Sequence, residues 1–183
     1  MGFVVLFDAN VLYPNALRDL LIRIAQSGLV QAKWTDEILD EVFRNLKENR
    51  PELDPGKLDR TRELMNRSVR DCLVTGYEPL VQVLDLPDPD DRHVLAAAVK
   101  AQAQVIVTEN LRDFPEQVLG RWNIEAQSAD DFVLDRIALH RRIVVEAVLR
   151  IADSRRAPPT SFGEVLDALE RTGLSRSVAE LRS

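Results

Sequence analysis

A single carboxylate, Asp8, ends the first apolar segment of the chain. The preceding residues 3–7 read FVVLF, a run typical of a strand that is buried on both faces. A carboxylate at the end of such a strand is costly to bury unless it is paired or used. We therefore interpret Asp8 as a functional residue.

Two further polar clusters come from distant parts of the chain. One opens an Ala-rich helical segment, and the other follows the apolar run VIVT at residues 105–108. Functional groups in a parallel sheet collect beyond the carboxyl ends of its strands, and a helix returning to the start of a strand begins at that same edge. All three segments are therefore expected to face one crevice. The first cluster contains Asp88, Asp90 and Asp91, and the second contains Thr108, Asn110 and Asp113.

Grouped carboxylates repel one another, and burial increases that repulsion. A divalent cation removes both penalties, and oxygen ligands without a cysteine cluster favour Mg²⁺ or Mn²⁺ over zinc. Paired ions about 3.5–4 Å apart are a common means of hydrolysing phosphodiesters. Each cluster also has a structural interpretation, because an Asp at a helix start is often a cap and Asn110 and Asp113 suit a turn. The metal-site hypothesis rests on the expected meeting of all three segments at one crevice, and not on any single residue.

Composition limits the class of protein. The chain has 183 residues, a formal net charge of −6 and 45% hydrophobic residues, as expected of one ordinary globular domain with a sizeable core. The sequence contains no apolar run near the roughly 20 residues that span a bilayer and no evident export signal. The lone Cys72 excludes an internal disulfide and fits a reducing cytoplasm. We therefore expect a cytoplasmic protein without a membrane contact.

Two segments, residues 44–70 and 136–156, are locally basic despite the negative total charge. They could form a rim that faces phosphates, or each could be an ordinary solvated helix face. The RNA-binding candidates are Arg44 and Lys47 in the first of these segments and Arg18, which is expected near the crevice at the end of the first strand.

Strand-like and helix-like segments alternate, which predicts an α/β fold with a short parallel sheet wrapped by helices. Thr35 and Ser128 are expected helix N-caps, and Gly28 is an expected stop. The predicted strands are residues 4–7, 29–34, 105–108 and 123–128. The predicted helices cover residues 15–27, 35–48, 57–73, 91–104 and 129–152, and two short amphipathic helices follow the boundary RRAPPTS at 155–161.

Four other side chains favour structural roles. His93 has no Ser or Cys nucleophile beside it, so a surface position on its helix is expected. Trp34 and Trp122 could stack on bases, but core or docking roles are favoured. Cys72 occupies an apolar position of a helical pattern and is expected in the core.

The chain resembles PIN-domain ribonucleases, and among them bacterial VapC-like toxins. The resemblance rests on LFDANVL, TDEILDEV, DPDDRHVLAAA and VIVTENLRDFP, which occur in the order of the family and span roughly residues 3–132. It implies a three-layer α/β/α PIN-like domain over residues 1–132 with an acidic, metal-binding cleft. Residues 133–183 are then a C-terminal helical extension, packed on that domain or on a partner. This tail and a basic insert at about 44–78 depart from the compact toxins.

The resemblance also assigns residues. Asp8, Glu41 and Asp91 match the first three acids of the family, and Asn110 stands at the fourth position, where many relatives carry Asp. Asp113 lies in the same motif and could supply that charge. Asp40 stays open as a replacement for Glu41, because the two residues lie equally far from the apolar stripe of their helix. Asp90 likewise stays open as a replacement for Asp91. The catalytic set is Asp8, Glu41, Asp91 and Asp113, the metal set adds Asn110, and Asn10 and Thr108 are supporting residues.

The leading functional hypothesis is a Mg²⁺- or Mn²⁺-dependent endoribonuclease, the toxin of a type II toxin–antitoxin pair. The expected partners are a structured RNA of the tRNA or rRNA kind and a cognate antitoxin, and a homodimer stays open. The first alternative is a PIN-like module that binds RNA or protein without cutting, favoured by Asn110. A phosphoryl-transfer enzyme of the dehalogenase or receiver type is disfavoured, since no Lys follows VIVT and Lys100 is poorly placed.

Overall fold

A four-stranded parallel sheet forms the centre of the computed structural model, which describes residues 2–183. The strand order is β2-β1-β3-β4, and Leu6 of the central strand β1 lies between Lys33 and Ile106. All four predicted strands are confirmed; β1 has the predicted bounds, and the other three strands are shorter than expected. Their bounds are Val4–Phe7 for β1, Gln31–Lys33 for β2, Val105–Val107 for β3 and Glu125–Gln127 for β4.

Helices flank the sheet, which confirms the predicted α/β architecture with helices following the strands. No helix among the described residues is both long and apolar enough to cross a bilayer. The longer helices are α2 (Asn15–Gln26), α3 (Asp36–Asn49), α4 (Pro55–Ser68), α6 (Arg92–Lys100) and α8 (Ala129–Ser154). The tail adds α9 (Phe162–Arg171) and α10 (Ser175–Arg182), and single turns form α1 (Ala9–Leu12), α5 (Glu78–Val81) and α7 (Glu116–Leu119).

The helix boundaries follow the capping residues of the sequence. The Thr35 hydroxyl accepts the N–H of Ile38 at 2.9 Å, and the Ser128 hydroxyl accepts the N–H of Asp131 at 3.1 Å. These bonds satisfy N–H groups that a first helical turn leaves without a partner. Gly28 has φ +88°, a conformation that ends α2 and favours glycine.

The predicted helix over residues 57–73 is too long, because α4 ends at Ser68. The chain then turns through Asp71, whose φ is 53°, and runs beside Trp34 at the end of β2. The backbone N–H of Trp34 donates to the carbonyl of Cys72 at 2.9 Å, and the backbone N–H of Val74 donates to the carbonyl of Trp34 at 2.9 Å. This pairing satisfies backbone groups at the edge of the sheet beside β2, which would stay unpaired if the helix continued. The spacing of apolar residues along the segment cannot indicate a partner from another part of the chain.

The last two helices of the chain, α9 and α10, pack on α8. This helix departs from helical dihedral angles at His140, where it is kinked, and both α9 and α10 lie against it. Asp130 in the first turn of α8 accepts the N–H and hydroxyl of Ser177 at 2.9 and 2.7 Å, and also bonds Arg176. Because α8 runs through residue 132, the division into 1–132 and 133–183 stays a prediction. The apolar side chains buried in α9 and α10 are Val165, Leu166, Leu169, Val178 and Leu181.

Candidate active site

Asp8 lies where β1 meets α1, and its carboxylate is held from three sides. One oxygen accepts the N–H of Ala9 at 2.8 Å, which caps α1. The other accepts the hydroxyl of Thr108 at 2.8 Å and the amide of Asn10 at 3.3 Å. Asp8 is only 6% exposed, and burial raises its pKa although these hydrogen bonds oppose the shift. The carboxylate is therefore rigidly oriented, but its ionised form is destabilised by burial and would be stabilised by a nearby positive charge.

Asn10 and Thr108 form the support behind Asp8. The Asn10 amide donates to the Thr108 hydroxyl oxygen at 3.2 Å, and its carbonyl oxygen accepts the N–H of Glu109 at 3.0 Å. The hydroxyl of Thr108 also accepts the N–H of Asn110 at 3.1 Å. This network joins the end of β1 to the end of β3, so the two sequence-predicted supporting residues are in contact with the first acid and with each other.

The negative charges of the other acids in the cleft act on Asp91. It is half-buried at the start of α6, and burial is the largest cause that raises its pKa to about 7. The negative charges that raise it further belong, in decreasing order, to Asp8, Asp88, Asp113 and Glu41. Three of these acids were predicted for the site, and their charges act on the fourth. The cleft therefore gathers carboxylates from four separate segments of the chain.

The structure distinguishes the residue pairs that periodicity left open. Glu41 is half-buried on the side of α3 that acts on Asp91, whereas Asp40 is exposed and forms a 2.7 Å ion pair with Arg62. Asp90 is exposed, and its charge is not among the main causes that raise the pKa of Asp91. The geometry thus favours Glu41 and Asp91 for the site.

The loop after β3 presents its two candidates differently. Asp113 is half-buried and its charge acts on Asp91, while Asn110 is exposed and contributes a backbone N–H to Thr108. Asp113 is therefore the better placed of the two to face the other acids. The short 3₁₀ turn Leu111–Asp113 brings it back toward the cleft.

The carboxylates influence one another without forming a closed ligand cage. Within residues 2–183, no three His, Cys, Asp or Glu side chains are close enough together to hold a metal ion. Yet the mutual repulsion that raises the pKa of Asp91 is the condition that a divalent cation relieves, and the donors are all oxygen. Asp8 is fixed by its hydrogen bonds, whereas half-buried Glu41, Asp91 and Asp113 can change rotamer toward an ion. The residues present therefore fit Mg²⁺ or Mn²⁺ in type.

The three RNA-binding candidates have different surroundings. Arg18 is buried and donates to the carbonyls of Leu12 and Tyr13 at 2.9 and 3.0 Å, so its guanidinium stabilises the turn between α1 and α2. Its second terminal nitrogen donates to the side chain of Asn15 at 3.0 Å. Both terminal nitrogens of the guanidinium are thus already bonded, which disfavours a phosphate contact. Arg44 and Lys47 are exposed on α3, and Lys47 pairs with Asp59 at 2.8 Å.

Sequence reasoning missed part of the surroundings of the cleft. His93 is not a surface residue, since only 18% of its side chain is exposed; Nδ1 has no hydrogen-bond partner and lies 3.7 Å from a Glu37 carboxylate oxygen. The hydroxyl of Tyr77 donates to that same oxygen at 2.7 Å. The signal available was the place of His93, in the first turn of a helix that opens at the acidic cluster. Asp88 was noted in the sequence as a cap, which it is, but its charge also acts on Asp91.

Comparison with known proteins places these elements in a family. Residues 4–112 match the PIN domain, and residues 129–183 match the VapC50 C-terminal domain. The chain is also 40% identical over 94 residues to a Mycobacterium tuberculosis protein named "Putative ribonuclease VapC50". That match covers 51% of this chain and 55% of the relative, so the chain spans about half the length of the curated protein it matches. No solved structure matches this chain.

Proposed function

Because this chain belongs to the PIN-domain family, we propose that it is a metal-dependent endoribonuclease that hydrolyses RNA phosphodiester bonds. The observation that carries the proposal is the gathering of carboxylates from four segments around half-buried Asp91, whose pKa is raised to about 7 by burial and, after it, by their charges. Acids arranged in this way are unfavourable by themselves and favourable around a cation. The name of the Mycobacterium tuberculosis relative supports the ribonuclease activity.

In this proposal, Mg²⁺ or Mn²⁺ would be held by the oxygen-bearing side chains of Asp8, Glu41, Asp91, Asn110 and Asp113. When bound, the cation supplies Lewis acidity and positive charge, which make water a better nucleophile at neutral pH and offset the charge of the phosphodiester. Asp8 gives the cleft one ligand of fixed direction because Thr108 and Asn10 hold it. Half-buried Glu41, Asp91 and Asp113 would supply the remaining carboxylate ligands from the other segments.

The biological role that we propose is the toxin of a type II toxin–antitoxin pair. The match of residues 129–183 to the VapC50 C-terminal domain supports this role, and so does the 40% identity over 94 residues to a protein named for VapC50. The substrate is a structured RNA of the tRNA or rRNA kind, in which a single-stranded loop exposes the cleaved bond. The partner is a cognate antitoxin, and the protein acts in the cytoplasm.

One observation favours a second candidate, a PIN-like module that binds RNA or protein without cutting. Asn110 replaces a charge at the fourth position, and among the described residues no ligand cage is closed. Metal titration separates the two candidates, because a binding module retains RNA in EDTA and still does not shorten it when Mn²⁺ is added, whereas the ribonuclease cleaves it once Mn²⁺ is present.

The test is cleavage of total RNA by the purified protein with and without Mn²⁺, beside the variant Asp8→Asn. We expect Mn²⁺-dependent fragments from the wild type and none from the variant, whose amide cannot supply the ligand charge. Exposed Asp85→Asn is the matched control and should cleave normally. A cooperative thermal transition near that of the wild type shows that Asp8→Asn folds, and Asp91→Asn serves as a second variant. Undiminished cleavage by both folded variants contradicts the proposed site.

A further inference from the structure

A cavity of about 350 Å³ lies between the turn joining α1 to α2 and the turn joining α3 to α4. Its volume lies at the small end of the roughly 300–1,000 Å³ range of ligand pockets. The lining that matters for recognition is Tyr13, Pro14, Leu46, Arg50, Leu53 and Lys57.

Two helices lead from the acidic cleft to this cavity. α1 begins directly after Asp8 and ends before Tyr13, and α3 carries both Glu41 and, five residues on, Leu46. Five residues of helix rise roughly 7.5 Å. α1 and α3 pack together, so the two helices that carry or follow the acids also supply Tyr13 and Leu46 to the cavity, about one and a half helical turns along each helix.

The lining combines a flat aromatic ring, aliphatic side chains and cations. Tyr13 is half-buried, and its hydroxyl accepts the Asn49 amide at 3.2 Å, which limits motion of the ring. Exposed Arg50 pairs with Glu52 through Nε at 3.0 Å, so its terminal nitrogens stay available. Within residues 2–183, exposed Lys57 forms no ion pair.

We infer that this cavity is a subsite for one unstacked nucleobase of single-stranded RNA, near the cleavage position, with Arg50 and Lys57 contacting the phosphates on either side of it. The inference rests on the proposed ribonuclease function and names how its substrate is held. Single-stranded RNA is recognised by this combination of an aromatic platform and basic side chains along the backbone. Arg50 and Lys57 place positive charge at the cavity, and Asp54, a carboxylate in the same lining, accepts the N–H of Gly56 at 3.0 Å as the N-cap of α4.

The first experiment measures the dissociation constant of a fluorescein-labelled 12-nucleotide single-stranded RNA in EDTA, where metal-dependent cleavage is off. Tyr13→Leu keeps an apolar side chain but removes the π-face, and binding should weaken about 10-fold, as for the loss of one base–aromatic stack. Tyr13→Phe keeps the ring and should bind within about 2-fold of the wild type. Trp122→Leu removes an exposed aromatic side chain outside the cavity and should leave binding unchanged.

The second experiment measures the salt dependence of the same binding. Lys57→Gln should reduce the slope of log K against log salt by about 0.7, the value for one phosphate contact on a single strand. The control is Arg70→Gln, whose side chain is 96% exposed beyond α4 and should leave the slope unchanged.

The outcomes separate the subsite from the activity. If wild type cleaves RNA and Tyr13→Leu binds and cleaves equally well, the subsite is wrong and the ribonuclease proposal stands. Equal losses in Tyr13→Leu and Trp122→Leu also overturn the subsite, since stacking is then not specific to the cavity. If Tyr13→Leu keeps RNA but loses a co-purifying protein, the cavity binds a polypeptide and the inference fails. If the wild type neither binds nor cleaves RNA, the proposed function fails first.

Discussion

Replacing Thr108 by Val removes one hydroxyl from the most buried part of the acidic cleft. Thr108 is fully buried, and its hydroxyl donates to Asp8 at 2.8 Å while accepting from Asn10 at 3.2 Å and from the N–H of Asn110 at 3.1 Å. A hydrogen bond to an ionised group contributes about 1.5–3 kcal/mol. Asn10 keeps its contact with Asp8, and exposed Asn110 can bond water, so we expect the free energy of unfolding to fall by about 2–3 kcal/mol.

The loss should depend on pH in a defined direction. Burial raises the pKa of Asp8, and the hydroxyl of Thr108 is the largest of the contacts that lower it. Without the hydroxyl the folded-state pKa rises further, so ionising Asp8 in the fold costs more. The destabilisation is therefore greatest where Asp8 is ionised, above its folded pKa, and it shrinks as the pH falls through that value.

Urea unfolding in EDTA at several pH values measures the first effect, and RNA cleavage at varied Mn²⁺ measures the second. Loss of a residue that orients a metal ligand reduces metal affinity or activity by about 10–100-fold. The control is Thr172→Val in the tail, whose hydroxyl donates to a backbone carbonyl; it should lose about 1 kcal/mol of stability and no activity. A Thr108→Val protein with wild-type stability, activity and Mn²⁺ dependence would refute the reasoning that the hydroxyl positions Asp8.

Three further predictions concern other carboxylates. Glu41→Gln should abolish Mn²⁺-dependent cleavage while Asp40→Asn leaves it intact, since Asp40 forms an exposed ion pair instead of facing the other acids; equal activity in an RNA cleavage assay would contradict the assignment. Asp91→Asn should make the metal-free protein more stable at pH 8 by thermal melting, because a folded pKa raised to about 7 means that ionised Asp91 opposes folding, and the gain should vanish as the pH falls toward 4. Asp130→Asn should destabilise the tail by about 2 kcal/mol in urea unfolding. Burial opposes ionisation of Asp130, but hydrogen bonds led by Ser177 outweigh it and lower its pKa, so this difference is present above pH 4 and is lost as the pH falls through the folded pKa; a pH-independent difference would contradict it.

Much of the fold could be predicted from local patterns. The run of apolar residues before Asp8 and the run VIVT each specify a strand buried on both faces, and both are confirmed in the centre of the sheet. Thr35 and Ser128 mark helix starts because their hydroxyls replace missing backbone partners, an effect confined to neighbouring residues. The end of α4 could not be predicted, since the segment after it pairs with Trp34 from another part of the chain.

What the sequence by itself determined is the order of strands and helices, and with it the edge of the sheet at which Asp8 and the later acids must lie. This follows because connections between parallel strands return every strand end to one edge. Periodicity could not choose between the adjacent acids Glu41 and Asp40; beyond the family resemblance, only the tertiary structure separates them, because it places Asp40 in an ion pair with Arg62. Only the tertiary structure also shows that Arg18 stabilises the local fold. Two residues at equal angles from an apolar stripe are equivalent in periodicity. Only the neighbours packed on each side, which come from remote segments, make one of them part of the acidic cleft and the other a surface ion pair.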